Sequence, residues 1–86
     1  MRLLGRKKLE DLWGVDPETD RWLTGWVAEI AHARWREPSE LLTQFPGARV
    51  GSSQGQFLFP VCGGGTMIET LFLFHQQVAL IQALKQ

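Results

Sequence analysis

Cysteine is nearly absent from this 86-residue chain: Cys62 stands alone, so no intrachain disulfide can form and no cysteine metal cluster can be built. That fits a reducing compartment. Histidine is scarce too, and His32 and His75, without cysteine or paired carboxylates at ligand spacing, make no metal-binding pattern. Neither a metal nor any other cofactor is expected. The opening "MRLLGRKKLEDLW" has only Leu3 and Leu4 as an apolar stretch, too short for a signal peptide, and no apolar run approaches the roughly 20 residues that span a bilayer. The expectation is a cytoplasmic protein with no membrane partner. An excess of one charge is also missing, with nine Lys and Arg against nine Asp and Glu. Nucleic-acid binders usually carry surplus positive charge because phosphate contacts dominate their affinity. Positive surface can here be only local, as in Arg2, Arg6, Lys7 and Lys8 near the start, while residues 16 to 40 are mostly acidic.

What is present is apolar bulk. Four Trp and five Phe in a chain of this length bury much area per residue, enough for one domain over residues 1–86. In "RKKLEDLW", Leu9, Leu12 and Trp13 fall at helical spacing, and Gly14 stops that short helix. Asp16 then reads as an N-cap with Pro17 in the first helical position and Glu18 and Asp20 near the positive end of the helix dipole. The helix so begun carries Trp22, Trp26 and Ile30 four apart, with Thr24, Glu29 and His32 opposite. Pro38 disfavours helical geometry before it, which predicts an end near Arg36. A brief third helix is expected in "EPSELLTQF".

After Pro46 charge becomes sparse and short apolar runs alternate with Gly, Ser and Gln clusters, the pattern of a sheet. Strands are expected at Ala48 to Val50, Gln56 to Val61, Thr66 to Phe74 and Gln77 to Leu84. The predicted joints are "GSSQG", "CGGG" and "HQQ". No strand is expected before residue 40, and Trp22, Trp26 and Ile30 should be buried against one face of an antiparallel sheet.

The glycines of "CGGGT" raise the question of a phosphate-cradling loop. A P-loop needs a lysine and a following helix, and neither is there, so a hairpin turn is the better reading. Gly64→Ala should then cost about 1 kcal/mol or more if that residue needs a positive φ. His32 reads as a solvated surface histidine. His75, in the turn before the last strand, is open to two readings, because a loop histidine beside a sheet can act as a general acid or base when a substrate phosphate lies over that sheet. The tryptophans read as core rather than as stacking platforms, and Cys62 has no neighbour in sequence that would lower its thiol pKa.

"RKKLEDLW", "WLTGWVAEIAHARWREPSELLTQFPGARV", an F-x-F-x-V strand, a glycine turn and two closing strands follow one another from about Arg6 to Leu84. In order and spacing this resembles the HigB-type toxins of bacterial toxin–antitoxin modules, within the RelE-like group of mRNA endonucleases. The most specific part is the Trp26 to Trp35 spacing followed by "FPGA". The resemblance implies an α+β, RelE-like fold with two to three N-terminal helices packed on a small antiparallel β-sheet. It implies a ribosome-dependent endoribonuclease that inhibits translation, with mRNA on the ribosome as substrate, an antitoxin protein as partner, and possible homo- or hetero-oligomers.

Such toxins use basic side chains to neutralise the scissile phosphate as the 2′-hydroxyl attacks. Arg6 and Lys7 match the family's basic positions and are expected to bind RNA; His75 and Arg49, the latter a further basic residue beside the sheet with no matched position in the family, are the expected catalytic residues. Thr66, Met67, Ile68 and Glu69 stand where the family has a Lys-aromatic-Arg pattern, and the family's tail with Thr-His and Tyr-Asp has no counterpart up to Gln86. These departures give the alternative expectation, a catalytically degenerate RelE-fold protein acting as a protein-binding module.

Overall fold

The computed structural model describes residues Met1–Gln86. Its long helix α1, Pro17–His32, starts where the sequence signals it: the Asp16 carboxylate accepts the Thr19 backbone N–H at 2.8 Å, and Pro17 fills the first turn. Before it, Arg6–Leu12 form a 3₁₀ helix, with Leu9 buried, in place of the expected α-helical turn. Helix α2 spans Pro38–Gln44 and buries Leu41.

Helix α1 stops at His32, four residues short of the expected end at Arg36. The Met1 amine donates to the carbonyls of Ile30, Ala31 and Ala33, taking groups that a further turn would have used. From there the chain alternates as a strand would: Ala33 and Trp35 are buried, Arg34 and Arg36 exposed. Trp35 is held by packing against Phe45 and Phe72 at 5.9 and 5.8 Å between ring centroids, and its indole N–H donates to Gln44 Oε1.

Five strands make one sheet: β1 Arg2–Leu4, β2 Arg49–Val50, β3 Gln56–Pro60, β4 Met67–Leu73 and β5 Val78–Lys85, in the spatial order β1-β5-β4-β3-β2. The expected strands from residue 48 onward are present within one or two residues. Strand β1 was not expected, and it corrects two points: a strand precedes the helices, and it pairs parallel to β5, so the sheet is mixed rather than antiparallel. Arg2–Leu4 is too short for periodicity to register. The small α+β architecture, helices on a sheet, is the one anticipated.

The inner sheet face, with Leu3, Phe57, Phe59, Ile68, Phe72, Ala79 and Ile81, packs with Leu23, Trp26 and Ile30 of α1 in a single core. Trp22 is only half-buried, stacked on Trp26 at 6.3 Å. Trp26 meets Phe59 edge-on at 5.4 Å, a favoured aromatic arrangement. The outer face carries Leu4, Leu58, Leu71, Leu73 and Leu80, none of them fully buried.

The "CGGG" segment is a turn between β3 and β4, closed by the Val61 N–H donating to the Thr66 carbonyl at 2.8 Å. Within it Cys62, Gly63 and Gly65 have positive φ, while Gly64 is fully extended with open space at its Cα. The cost expected for Gly64→Ala therefore does not apply; it belongs to Gly63 and Gly65. No helix is long and apolar enough to cross a membrane.

Candidate functional site

A concentration of unpaired positive charge lies at the C-terminal end of α1. Three short segments meet there: strand β1, the extended stretch after α1, and the turn between β4 and β5. They enclose a cleft of about 660 Å³ lined by Arg2, His32, Arg34, Arg36, His75 and Gln77, together with Met1 and two alanines. No carboxylate lines it. The one ion pair of the molecule, Lys85 with Glu69 at 4.0 Å, lies elsewhere, so the three guanidinium groups have no anionic partner.

The geometry follows from local structure. Alternation along residues 33 to 36 sends Ala33 and Trp35 into the core and leaves Arg34 and Arg36 exposed together. Arg2 alternates in the same way between buried Met1 and Leu3. His32 Nδ1 lies 2.8 Å from the Ala28 carbonyl, an acceptor only, so Nδ1 carries the proton and Nε2 is left as the ring's free nitrogen. Burial, and secondarily Arg34, lower the pKa of the Met1 amine.

Gln77 ties the three walls together. Its side-chain amide donates to the Trp35 carbonyl at 2.6 Å, between Arg34 and Arg36, and to the Phe74 carbonyl at 2.9 Å, just before His75. Its own carbonyl accepts the Arg2 backbone N–H at 2.8 Å. Gln77 has φ 57°, a left-handed conformation uncommon outside glycine, and such residues persist where surrounding bonds hold them.

Of the residues expected from sequence, His75 lies in this cleft. Arg49 does not: it sits on β2, at the sheet edge opposite β1, in register with Leu58 and so with Glu69 of β4. From Glu69 the chain must still run to Leu73 before the turn, a span of about 13 Å at ~3.3 Å per residue. Arg6 and Lys7 are exposed on the 3₁₀ helix and do not line the cleft. In their place stand Arg2, His32, Arg34 and Arg36. The alternation Ala-Arg-Trp-Arg was the signal for two of these, hidden by reading the segment as helix. His32 was read as a solvated histidine, and nothing local to it points to the cleft.

A second cleft of about 610 Å³ lies at the other end of α1, lined by Asp16, Glu18, Thr19, Arg21 and Cys62. It is acidic and unsuited to phosphate. No three His, Cys, Asp or Glu side chains are grouped so as to hold a metal ion.

A scan against protein-family models finds no match to this chain, and a search of curated proteins finds none. The functional argument therefore rests on the cleft and on the sequence resemblance.

Proposed function

We propose that the protein is an RNA-binding toxin of the HigB type, a RelE-like endoribonuclease that acts on ribosome-bound mRNA, with the cationic cleft as its phosphate site. The observation that carries this reading is the meeting of Arg2, Arg34 and Arg36 with His32 and His75 in one cavity free of carboxylates. Guanidinium groups match phosphate oxygens geometrically and stay charged at any physiological pH. They stabilise the extra negative charge that builds as a 2′-hydroxyl attacks the neighbouring phosphorus. One histidine takes the 2′-hydroxyl proton, the 2′-oxygen bonds to phosphorus, and the phosphorus–5′-oxygen bond breaks as the leaving oxygen takes a proton from the second, protonated histidine. Arg6 and Lys7, exposed on the 3₁₀ helix, add long-range attraction for the RNA backbone.

Inducing the wild-type gene in bacteria should arrest growth with cleavage of translated mRNA. Arg34→Ala and His75→Ala should each relieve the arrest while circular dichroism shows the fold retained. An antitoxin protein bound over the cleft would silence the activity, and co-purification with it should be disrupted by the same arginine change.

A second reading, a degenerate RelE-like protein serving as a protein-binding module, is favoured by the apolar outer sheet face, where Leu4 and Leu73 are more than a third exposed. Its discriminating outcome is a folded, harmless wild-type protein that forms a stable complex with a protein partner and cleaves no RNA.

A further inference from the structure

The same cleft carries a statement about what it recognises, and this rests on the phosphate-site reading above. We infer that it binds clusters of phosphate groups and is indifferent to the bases attached to them.

Charge is the first ground. Arg2, Arg34 and Arg36 supply three permanent positive charges with no carboxylate among the lining residues and no ion-pair partner. A lone phosphodiester, with one negative charge, leaves most of that unneutralised; two or more phosphate groups held close together match it. Size is the second ground. About 660 Å³ is far more than one phosphate group needs and falls within the range of about 300–1,000 Å³ typical of ligand sites.

The third ground is what the walls do not offer. The apolar lining is Met1, Ala31 and Ala33, the rings present are the imidazoles of His32 and His75 with no Trp, Tyr or Phe, and Trp35 is turned into the core at 5% exposure. Single-stranded RNA readers stack bases on aromatic side chains or guanidinium planes, and sequence-tolerant stacking platforms are commonly large aromatic rings. The one amide in the cleft, that of Gln77, already spends its donors on the Trp35 and Phe74 carbonyls. A base thus meets no Trp, Tyr or Phe face and no free amide donor, and with the guanidinium groups engaged by phosphate the contacts fix register without reading sequence.

The test is calorimetric titration of the full chain with inorganic phosphate, inorganic pyrophosphate, uridine, a nucleoside triphosphate, and short oligouridine and oligoadenosine strands. Pyrophosphate should bind at least about tenfold more tightly than phosphate, and uridine should not bind, because the guanidinium charges act together on clustered oxygens. The two oligonucleotides should agree within about threefold, and pyrophosphate should displace both. Displacement of the oligonucleotides by the nucleoside triphosphate shows that the recognised unit is the phosphate cluster wherever it comes from. Arg34→Ala and Arg36→Ala, both at exposed positions, should each weaken pyrophosphate binding about fivefold or more, and Arg21→Ala at the far end of α1 should leave it unchanged. Equal affinity for phosphate and pyrophosphate, tenfold discrimination between the oligonucleotides, or pyrophosphate binding indifferent to both arginine changes would each overturn the inference. Pyrophosphate binding by a chain that cleaves no mRNA removes the nuclease reading and leaves this one; mRNA cleavage that pyrophosphate does not inhibit does the reverse.

Discussion

Two buried polar atoms stand without partners: Thr70 Oγ1, on a residue fully shielded from solvent, and the Trp26 indole nitrogen. An unsatisfied buried hydroxyl costs desolvation without return, so Thr70→Val, which keeps the shape, should stabilise the protein by about 1 kcal/mol, read from urea unfolding. Phe59 is packed against Trp26, Phe45 and Phe72, and Phe59→Ala should cost about 3–5 kcal/mol in the same measurement. The Asp16 carboxylate has its pKa lowered below the ordinary 3.8, first by the Thr19 backbone N–H and then by the Thr19 hydroxyl. A carboxylate whose folded pKa is depressed contributes stability above its unfolded pKa and loses it as pH falls through the folded one. Asp16→Ala should therefore lower the melting temperature at pH 7, with the difference from wild type shrinking as the solution is acidified below 3.8.

At the scale of elements, the cleft depends on where α1 stops and on the turn that follows β4. Gln77→Gly keeps the positive φ available but deletes the amide that bonds Trp35 and Phe74. Pyrophosphate affinity should fall about fivefold or more while thermal stability changes less, because strain relief offsets part of the lost hydrogen bonding. Gln77→Glu sets an acceptor-only carboxylate against the same two carbonyls and should cost about 1–3 kcal/mol besides. Another element boundary is fixed by Gly55, whose φ is 80° and whose added Cβ would lie 2.7 Å from the Phe72 carbonyl oxygen. Gly55→Ala should destabilise by more than about 1 kcal/mol, since the β-strand backbone beside it cannot yield as a side chain would.

Over the whole molecule a net charge of zero conceals separation. Asp16, Glu18 and Asp20 gather at the start of α1, and Arg34 and Arg36 follow its end, about 24 Å away along a 16-residue helix at ~1.5 Å per residue. The cleft itself, free of carboxylates in its lining, is the part expected to attract polyanions, although Glu40 lies close by, accepting the Arg36 backbone N–H at 2.9 Å. Binding of a single-stranded oligonucleotide should fall with salt at a log–log slope of about −2, the value for three neutralised phosphates at ~0.7 each. Combining Arg2→Ala, Arg34→Ala and Arg36→Ala should bring that slope close to zero, whereas Arg49→Ala should weaken binding at least fivefold less than Arg34→Ala.

Local signals in the sequence determined the Asp16 cap, the Trp26 and Ile30 face of α1, the strands after Pro46 and the glycine turn, because each is set by residues within one turn or one hairpin of itself. The functional residues were legible only in part. His75 announced itself as a histidine in a turn beside a sheet, but the partners assigned to it, Arg49 with Arg6 and Lys7, were chosen for charge and motif position, which carry no distance. Tertiary structure decided the rest. Strand β1 pairs with β5 across more than seventy residues and brings the Met1 amine onto the end of α1, where Ala33 turns to extended backbone and the helix stops. Local alternation sets Arg34 and Arg36 on one side of the chain, but only the docking of β1 brings Arg2 beside them, since a strand three residues long gives no periodicity of its own and becomes a strand only when its partner is already in place.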